Sequence, residues 1–382
     1  MTSSDRIYLD WNASAPLRPE ARAALLEALE RFGNPSSVHA EGRAARDLVE
    51  SAREAVASFM GCRPSEVVFT SGGTEANNLA VRSLAALAED KRFVASRVEH
   101  PSVVRPLEAL ETEGWEAIWL PAGEDGVVAV DWGDRRPGFA VLQAANHETG
   151  ALQPLGAMAA ACARADVPWF CDAVQAWGRV RLRVGDLGCA MASLSGHKLG
   201  APKGVGALFV REGFPPAPAL LGGPQERGRR AGTENVPGIA ALGAACEAAA
   251  RDLEADARWM AGLRDRIEAG VRRIEPLARV NGPGEAERRL PNTVNLVFPG
   301  VEAEILVQAL DLEGVAVSAG AACASGAARP SDVLRAMGLP EWRVRGALRV
   351  SLGPATRAQD VDRFLEVLSR VLSRLKGQPP AG

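Results

Sequence analysis

The chain has 382 residues, 47% of them hydrophobic and 24% charged, with a formal net charge of -3. That length suggests two domains, and the composition is that of an ordinary globular enzyme. No basic block or basic-aromatic stripe occurs, which excludes nucleic acid as an obligatory partner, and no apolar run reaches membrane-spanning length.

Over the first two thirds, short apolar runs alternate with helical patterns. "EVVFTSGG" reads as a buried strand entering a glycine turn, and "TEANNLAVRSLAALAED" then has helical periodicity. "RFVASRVEH", "EAIWLPA", "GFAVLQAAN", "WFCDAV", "MASLSGH" and "GVGALFV" are further strands. "PLGAMAAACARADVP" between two of them reads as a helix. Such alternation predicts a mostly parallel sheet covered on both faces.

The last third has another texture. A long helix beginning "VPGIAALGAACEAAARD" leads into the strand "PNTVNLVFPG". "AEILVQALDLEG" is a helix ending in glycine, "VAVSAG" and "ALRVSL" are strands, and "AQDVDRFLEVLSRVLSRLKG" is a final amphipathic helix. The expected division is a large unit over 16–255 and a smaller α+β unit made of 1–15 and 256–382.

Lysine and histidine are scarce, which makes each one informative. The lysines are Lys91, Lys198, Lys203 and Lys376; the histidines are His39, His100, His147 and His197. The six cysteines (Cys62, Cys162, Cys171, Cys189, Cys246, Cys323) form no C-x-x-C pair, so no metal site is expected. "MTSSDRIYLD" carries no signal-peptide pattern, and a reducing cytoplasm is the expected setting.

Polar residues collect at the predicted strand ends, where parallel sheets bind ligands. "TSGGTEA" places Gly73 and Thr74 at a helix start, which suits a phosphate. "SGHKLGAPKGVGAL" places Ser195, His197 and Lys198 at another strand end. A lysine amine beside a phosphate site suits covalent capture of pyridoxal phosphate. Asp172 in "CDAVQAWG", with Gln175 three residues on, offers the carboxylate that a pyridinium nitrogen needs.

The chain resembles the fold type I pyridoxal-phosphate enzymes of the class V aminotransferase group, and within it the NifS/IscS-type cysteine desulfurases. The motifs that carry the likeness run nearly end to end: "IYLDWNASAPLRP", "GNPSSVH", "FTSGGTEANNLA", "EHPSV", "NHETG", "DAVQ", "SGHKLGAPKGVGAL", "GGPQERGRRAGTENV", "SAGAACASG" and "ALRVSLG".

The resemblance implies a role for each matched residue. Lys198 would hold pyridoxal 5'-phosphate covalently, and Asp172 would pair with its ring nitrogen. His100 would stack on the ring and move protons, while Gln175 and His147 would contact the ring. Gly73, Thr74, Ser195 and His197 would hold the phosphate. Thr233 would reach the phosphate site of a neighbouring subunit, which implies a homodimer. Asn12, Asn34 and Arg349 would bind the substrate, Arg349 through its carboxylate. Cys323 would take the sulfur of L-cysteine as a persulfide, leaving L-alanine, and pass it to an acceptor protein such as an iron-sulfur scaffold or a thiolation protein. The long form "SAGAACASGAARPSDVLRAMG" is similar to the long-loop branch of the family.

Two departures stand out. His147 follows Asn146 where the family usually has a second asparagine, which suggests a charge that responds to pH near neutrality. The cysteine segment has alanines where relatives often carry hydroxyls. Ala and Gly around Cys323 suit a thiol that must travel between substrate and acceptor. Selenocysteine lyase and other class V aminotransferase activities remain as alternatives, beside a non-catalytic sulfur relay and a metal or redox protein. A plain aminotransferase has no use for Cys323, a non-catalytic relay would have lost Lys198 or Asp172, and the cysteine spacings do not support a metal or redox protein.

Overall fold

The computed structural model describes residues 6–319 and 330–377. Cys323, with Ala321, Ala324 and Gly326, lies outside the described residues.

The larger sheet has seven strands: β2 (Val67–Thr70), β3 (Arg92–Ser96), β4 (Glu116–Leu120), β5 (Phe139–Val141), β6 (Trp169–Asp172), β7 (Met191–Ser195) and β8 (Gly206–Val210). Their order is β2-β8-β7-β6-β5-β3-β4. The pairs among β4, β3, β5, β6 and β7 are parallel, while β8 runs antiparallel to both of its neighbours. The result is the α/β class that the sequence predicts, with one strand reversed.

Both faces of this sheet are dry. Val67, Phe69, Val94, Ala140, Cys171 and Ala192 join one apolar cluster. Their sequence neighbours Val68, Phe93, Phe139, Phe170 and Met191 join another on the opposite face. Side chains alternate faces along a strand, so burial of both faces requires these uninterrupted apolar runs.

Helices cover the sheet: α1 (Pro19–Leu29), α2 (Ala40–Met60), α3 (Gly73–Leu87), α4 (Pro101–Thr112), α5 (Leu155–Ala165), α6 (Val184–Leu187) and α7 (Gly196–Leu199). Helix α8 (Val236–Ile274) runs 39 residues and packs against α1 and α2 before crossing to the C-terminal module.

That module holds the antiparallel sheet β12-β13-β10-β9, made of β9 (Arg279–Asn281), β10 (Thr293–Val297), β12 (Ser318–Ala319) and β13 (Ala347–Ser351). The N-terminal β1 (Ile7–Tyr8) pairs with β11 (Val315–Ala316) in parallel. Helices α9 (Ala303–Leu312) and α12 (Ala358–Leu375) pack beside it, and Ile7 and Leu9 share a core with Ile267, Phe364 and Leu368. Helices α10 (Asp332–Ala336) and α11 (Glu341–Arg345) behave differently. Their Val333, Leu334 and Val344 belong to the core of the large sheet.

Candidate active site

The carboxyl ends of β3, β5, β6 and β7 and the start of α3 converge, and the scarce residues sit there. Strand β2 turns into α3 through Gly72, whose φ of +152° lies in a region that glycine favours. Strand β8 passes so close that a Cβ on Gly206 would lie 2.7 Å from the Cα of Gly72. A Cβ on Gly73 would meet the Cβ of Ser195 at 3.2 Å, so the Ser195 side chain stands against the first turn of α3. Thr74 is exposed in that turn. Free N–H groups and a hydroxyl thus face the same corner, as an anion requires.

Lys198 lies on α7, directly after β7. Its Nζ donates to the carbonyl oxygens of Asn12 (2.6 Å) and Ala13 (2.8 Å). Gln175 Nε2 donates to the same Asn12 oxygen at 3.2 Å. The N-terminal segment therefore orients the lysine from 186 positions away.

Asp172 ends β6 and is buried. Its Oδ2 accepts from Asn77 Nδ2 at 2.8 Å, and its Oδ1 accepts from the Val174 N–H at 3.1 Å and from Ser193 Oγ at 3.4 Å. The sequence reading missed Asn77. The available signal was a polar side chain on the apolar stripe of α3, between Ala76 and Leu79–Ala80.

His100 caps α4, and its Nδ1 accepts the Ser102 N–H at 3.1 Å. Its ring stands edge-on to His147, with centroids 5.1 Å apart and planes at 75°. Burial lowers the pKa of His100; Lys198 pushes the same way and Asp172 opposes. Burial holds His147 well below the ordinary imidazole value, helped by His100, Arg349 and Lys198. This corrects the expectation of a charge that responds near neutrality, because desolvation is the largest influence and the neighbouring His100, Arg349 and Lys198 add to it. Burial likewise lowers His197 to about 4, with Lys198, Lys203 and Arg179 adding to the effect.

Arg349 on β13 is 3% exposed and sits opposite Asn295 of β10 and Ser318 of β12. Its Nη1 donates to the His147 carbonyl at 3.1 Å, and its Nη2 pairs with Asp10 Oδ1 at 2.8 Å. Asp10 is a second residue that the sequence reading missed. Another is Arg179, buried, with Nη1 donating to the Gln175 carbonyl at 2.7 Å.

Asn12 and Asn34, expected at the substrate, make the following contacts within the chain. Asn12 Nδ2 donates to Thr293 Oγ1 (2.9 Å) and to the His147 carbonyl (3.3 Å), while Oδ1 accepts from Asn292 (3.0 Å). Its amide has no proton left for a substrate; its backbone oxygen serves Lys198 instead. Asn34 lies in the loop after α1, where its Oδ1 accepts the Ser36 N–H at 2.9 Å. Thr233 is exposed on the segment before α8.

The set fits pyridoxal phosphate. A primary amine, a buried carboxylate and a flanking imidazole match the aldehyde, pyridine nitrogen and ring face of that molecule, and the α3 turn with Ser195 matches its phosphate. His147 Nδ1 and Gln175 Oε1 are buried without a hydrogen-bond partner among the described residues, so polar atoms remain for a ring substituent.

The family model for aminotransferase class-V matches residues 7–364. A cysteine desulfurase of Cereibacter sphaeroides is 44% identical over 386 residues, covering 99% of this chain and 98% of that protein. A solved structure described as a NifS-like protein superposes with a TM-score of 0.89 at 32% identity, covering 97% of this chain and 100% of that one. Another, described as SspA in complex with cysteine, gives 0.79 at 30% identity over 92% of this chain and 100% of that one. With these likenesses spanning almost its whole length, the chain belongs to the class-V aminotransferase family and, within it, to the pyridoxal-phosphate-dependent cysteine desulfurases of the NifS/IscS type.

Proposed function

We propose that this protein takes sulfur from L-cysteine, releases L-alanine and leaves a persulfide on Cys323. The observation that carries the reading is the convergence of Lys198, Asp172 and His100 at the carboxyl ends of the parallel strands, with Arg349 beside them on the strand that pairs with Ser318. Cys323 follows Ala319 of that paired strand by four residues.

Bound pyridoxal phosphate supplies an electron sink for charge at the substrate's α-carbon. The chain's own groups do the rest. Lys198 Nζ holds and moves the proton at that carbon, aimed by the carbonyls of Asn12 and Ala13. His100 accepts a backbone N–H at Nδ1, which leaves the proton of its neutral ring on Nε2. Asp172 would hold the pyridine nitrogen in its protonated form. Arg349 would orient the substrate carboxylate. The Cys323 thiolate attacks the substrate sulfur; that C–S bond breaks, an S–S bond forms, and a proton returns to carbon to give alanine.

The same reading assigns the phosphate to Gly73, Thr74, Ser195 and His197, and places His147 and Gln175 against the ring. It makes the chain a homodimer in which Thr233 reaches the partner's phosphate site. Leu221, Phe32 and Val38 are each more than four-fifths exposed, which supports a covering partner. The sulfur acceptor is an iron-sulfur scaffold or a thiolation protein. The division into 16–255 and 1–15 with 256–382 stands with this proposal, supported by the core that Ile7 and Leu9 share with the C-terminal helices.

The test is an absorbance spectrum of the purified protein with and without L-cysteine, with alanine and sulfide assayed. Borohydride reduction should fix the cofactor's mass on the peptide containing Lys198, and Lys198→Ala should neither retain that mass nor turn over. Turnover of Lys198→Ala at the wild-type rate overturns the assignment.

A further inference from the structure

We propose that Arg179 is the buried countercharge of the phosphate corner, its guanidinium balancing a phosphate that the chain otherwise meets with neutral groups. The inference rests on the reading of Gly73, Thr74, Ser195 and His197 as that corner and adds a residue to it.

Arg53, Arg179, Arg264, Arg289 and Arg349 are the buried arginines among the described residues. Arg53 pairs with Glu226 at 2.7 Å, Arg264 with Asp265 at 2.8 Å, Arg349 with Asp10 at 2.8 Å, and Arg289 with Glu268. Arg179 stands apart. Its Nη1 donates to the Gln175 carbonyl at 2.7 Å, and no carboxylate pairs with it among the described residues. Burial lowers its pKa to about 10, with Arg349 adding to the effect, so it stays protonated at neutral pH. A buried charge without an opposite one is costly, and a guanidinium in that state marks where an anion belongs.

The turn that carries Arg179 backs onto α7, the helix of His197 and Lys198. A Cβ on Gly178 would lie 2.6 Å from Leu199 Cδ2. Gln175, at the start of the same turn, donates from Nε2 to the Asn12 oxygen that also accepts from Lys198 Nζ. His197 Nδ1 lies 3.3 Å from Ser14 Oγ on that N-terminal segment. Arg179 is among the charges that act against protonation of His197.

The other cations near this corner are spent or exposed. His197, lowered to about 4, is neutral at neutral pH. Lys198 is committed to the cofactor's aldehyde, and Lys203 is exposed. Arg230 pairs at 2.8 Å with Glu75 in the first turn of α3, so the two bring no net charge. Gly73, Thr74 and Ser195 offer neutral donors only. Arg179 supplies the missing charge, and through a low-dielectric interior it acts without touching the anion.

The experiment measures, by absorbance, equilibrium binding of pyridoxal 5'-phosphate and of pyridoxal to the full chain stripped of cofactor. Both ligands carry the aldehyde, and only one carries the phosphate. Arg179→Met should weaken pyridoxal phosphate by about tenfold or more and leave pyridoxal within about twofold, since one buried charge acts on the phosphate alone. Arg179→Lys keeps the charge and should keep most of the preference. Arg179→Gln keeps a donor for the Gln175 carbonyl but should lose the preference, and it is read in place of Arg179→Met if that variant does not fold. Equal weakening of both ligands in the neutral variants, or an unchanged ratio, overturns the proposal. Ser195→Ala tests the corner itself and should also lower the ratio. A lowered ratio there beside an unchanged one in Arg179→Met overturns the countercharge alone, while an unchanged ratio in Ser195→Ala overturns the corner.

Discussion

Arg349 Nη2 and Asp10 Oδ1 lie 2.8 Å apart, in an ion pair that joins β13 to the N-terminal segment. The guanidinium expected to take a substrate carboxylate is thus already partnered by a carboxylate of the chain. A carboxylate arriving at Nη2 must displace Asp10 or share the donor with it.

That competition predicts opposite effects at the two positions. Asp10→Asn keeps an acceptor but removes the competing charge, so KM for L-cysteine should fall by about threefold or more. Arg349→Ala should lower kcat/KM by tenfold or more, since charge-assisted hydrogen bonds are worth about 1.5–3 kcal/mol. Steady-state kinetics on the two variants decides it. A raised KM in Asp10→Asn would show that Asp10 supports rather than opposes substrate binding.

The Asn77–Asp172 contact carries a second prediction. Asn77→Ala removes a donor 2.8 Å from a buried carboxylate oxygen. An unsatisfied buried acceptor costs about 1–3 kcal/mol, to be divided between fold stability and the orientation of Asp172. The variant should melt at lower temperature and bind pyridoxal phosphate more weakly, measured by thermal denaturation and equilibrium dialysis. Unchanged values for both would remove Asn77 from the site.

Much of this architecture was legible because short apolar runs bounded by glycine and proline mark strands buried on both faces, as from Val67 to Thr70 and from Met191 to Ser195. The start of α8 at Val236 was readable from its N-terminal proline and the periodicity that follows. The reversal of β8 was not, since a fully buried strand has the same pattern in either direction. Strand β9 was missed too; three residues with Arg279 exposed leave no period to detect. The site showed the same division. Lys198 and Asp172 stand at strand ends and were visible, whereas Asp10 reaches Arg349 across 339 positions and only the fold brings them together. For His147 the sequence supplies the intrinsic titration of an imidazole, and burial then moves it.

The pH dependence follows from that burial. His147 and His100 are shifted below the ordinary imidazole value and His197 lies at about 4. A histidine depressed in the folded state binds fewer protons than in the unfolded chain, so stability is lost as pH falls from about 6.5 toward the folded value. Above that window nothing titrates at His147. Wild type and His147→Asn should therefore give parallel cofactor spectra from pH ~6 to 9. A wild-type transition in that range that is absent from the variant would show that the imidazole remains charged near neutrality.

The last prediction concerns where the sulfur goes. Burial raises the Cys62, Cys162 and Cys189 thiols to about 12 and pushes those of Cys171 and Cys246 well up. The thiolate is the nucleophile, so none of the five is equipped to attack sulfur at neutral pH. Cys323 is the remaining cysteine, four residues beyond the strand that pairs with Arg349. Wild type given L-cysteine without reductant should gain the mass of one sulfur on the peptide containing Cys323. Cys323→Ser should show the same early absorbance change, because Lys198 and Asp172 handle the steps at carbon, and should release only a trace of alanine. A hydroxyl has no thiolate equivalent at that pH. Replacing Ala321, Ala324 and Gly326 with β-branched residues should slow alanine formation more than the early change, since branching at Cβ stiffens the segment. Sulfur recovered on Cys171 or Cys246, with Cys323→Ser still forming alanine at the wild-type rate, would refute the role given to this thiol.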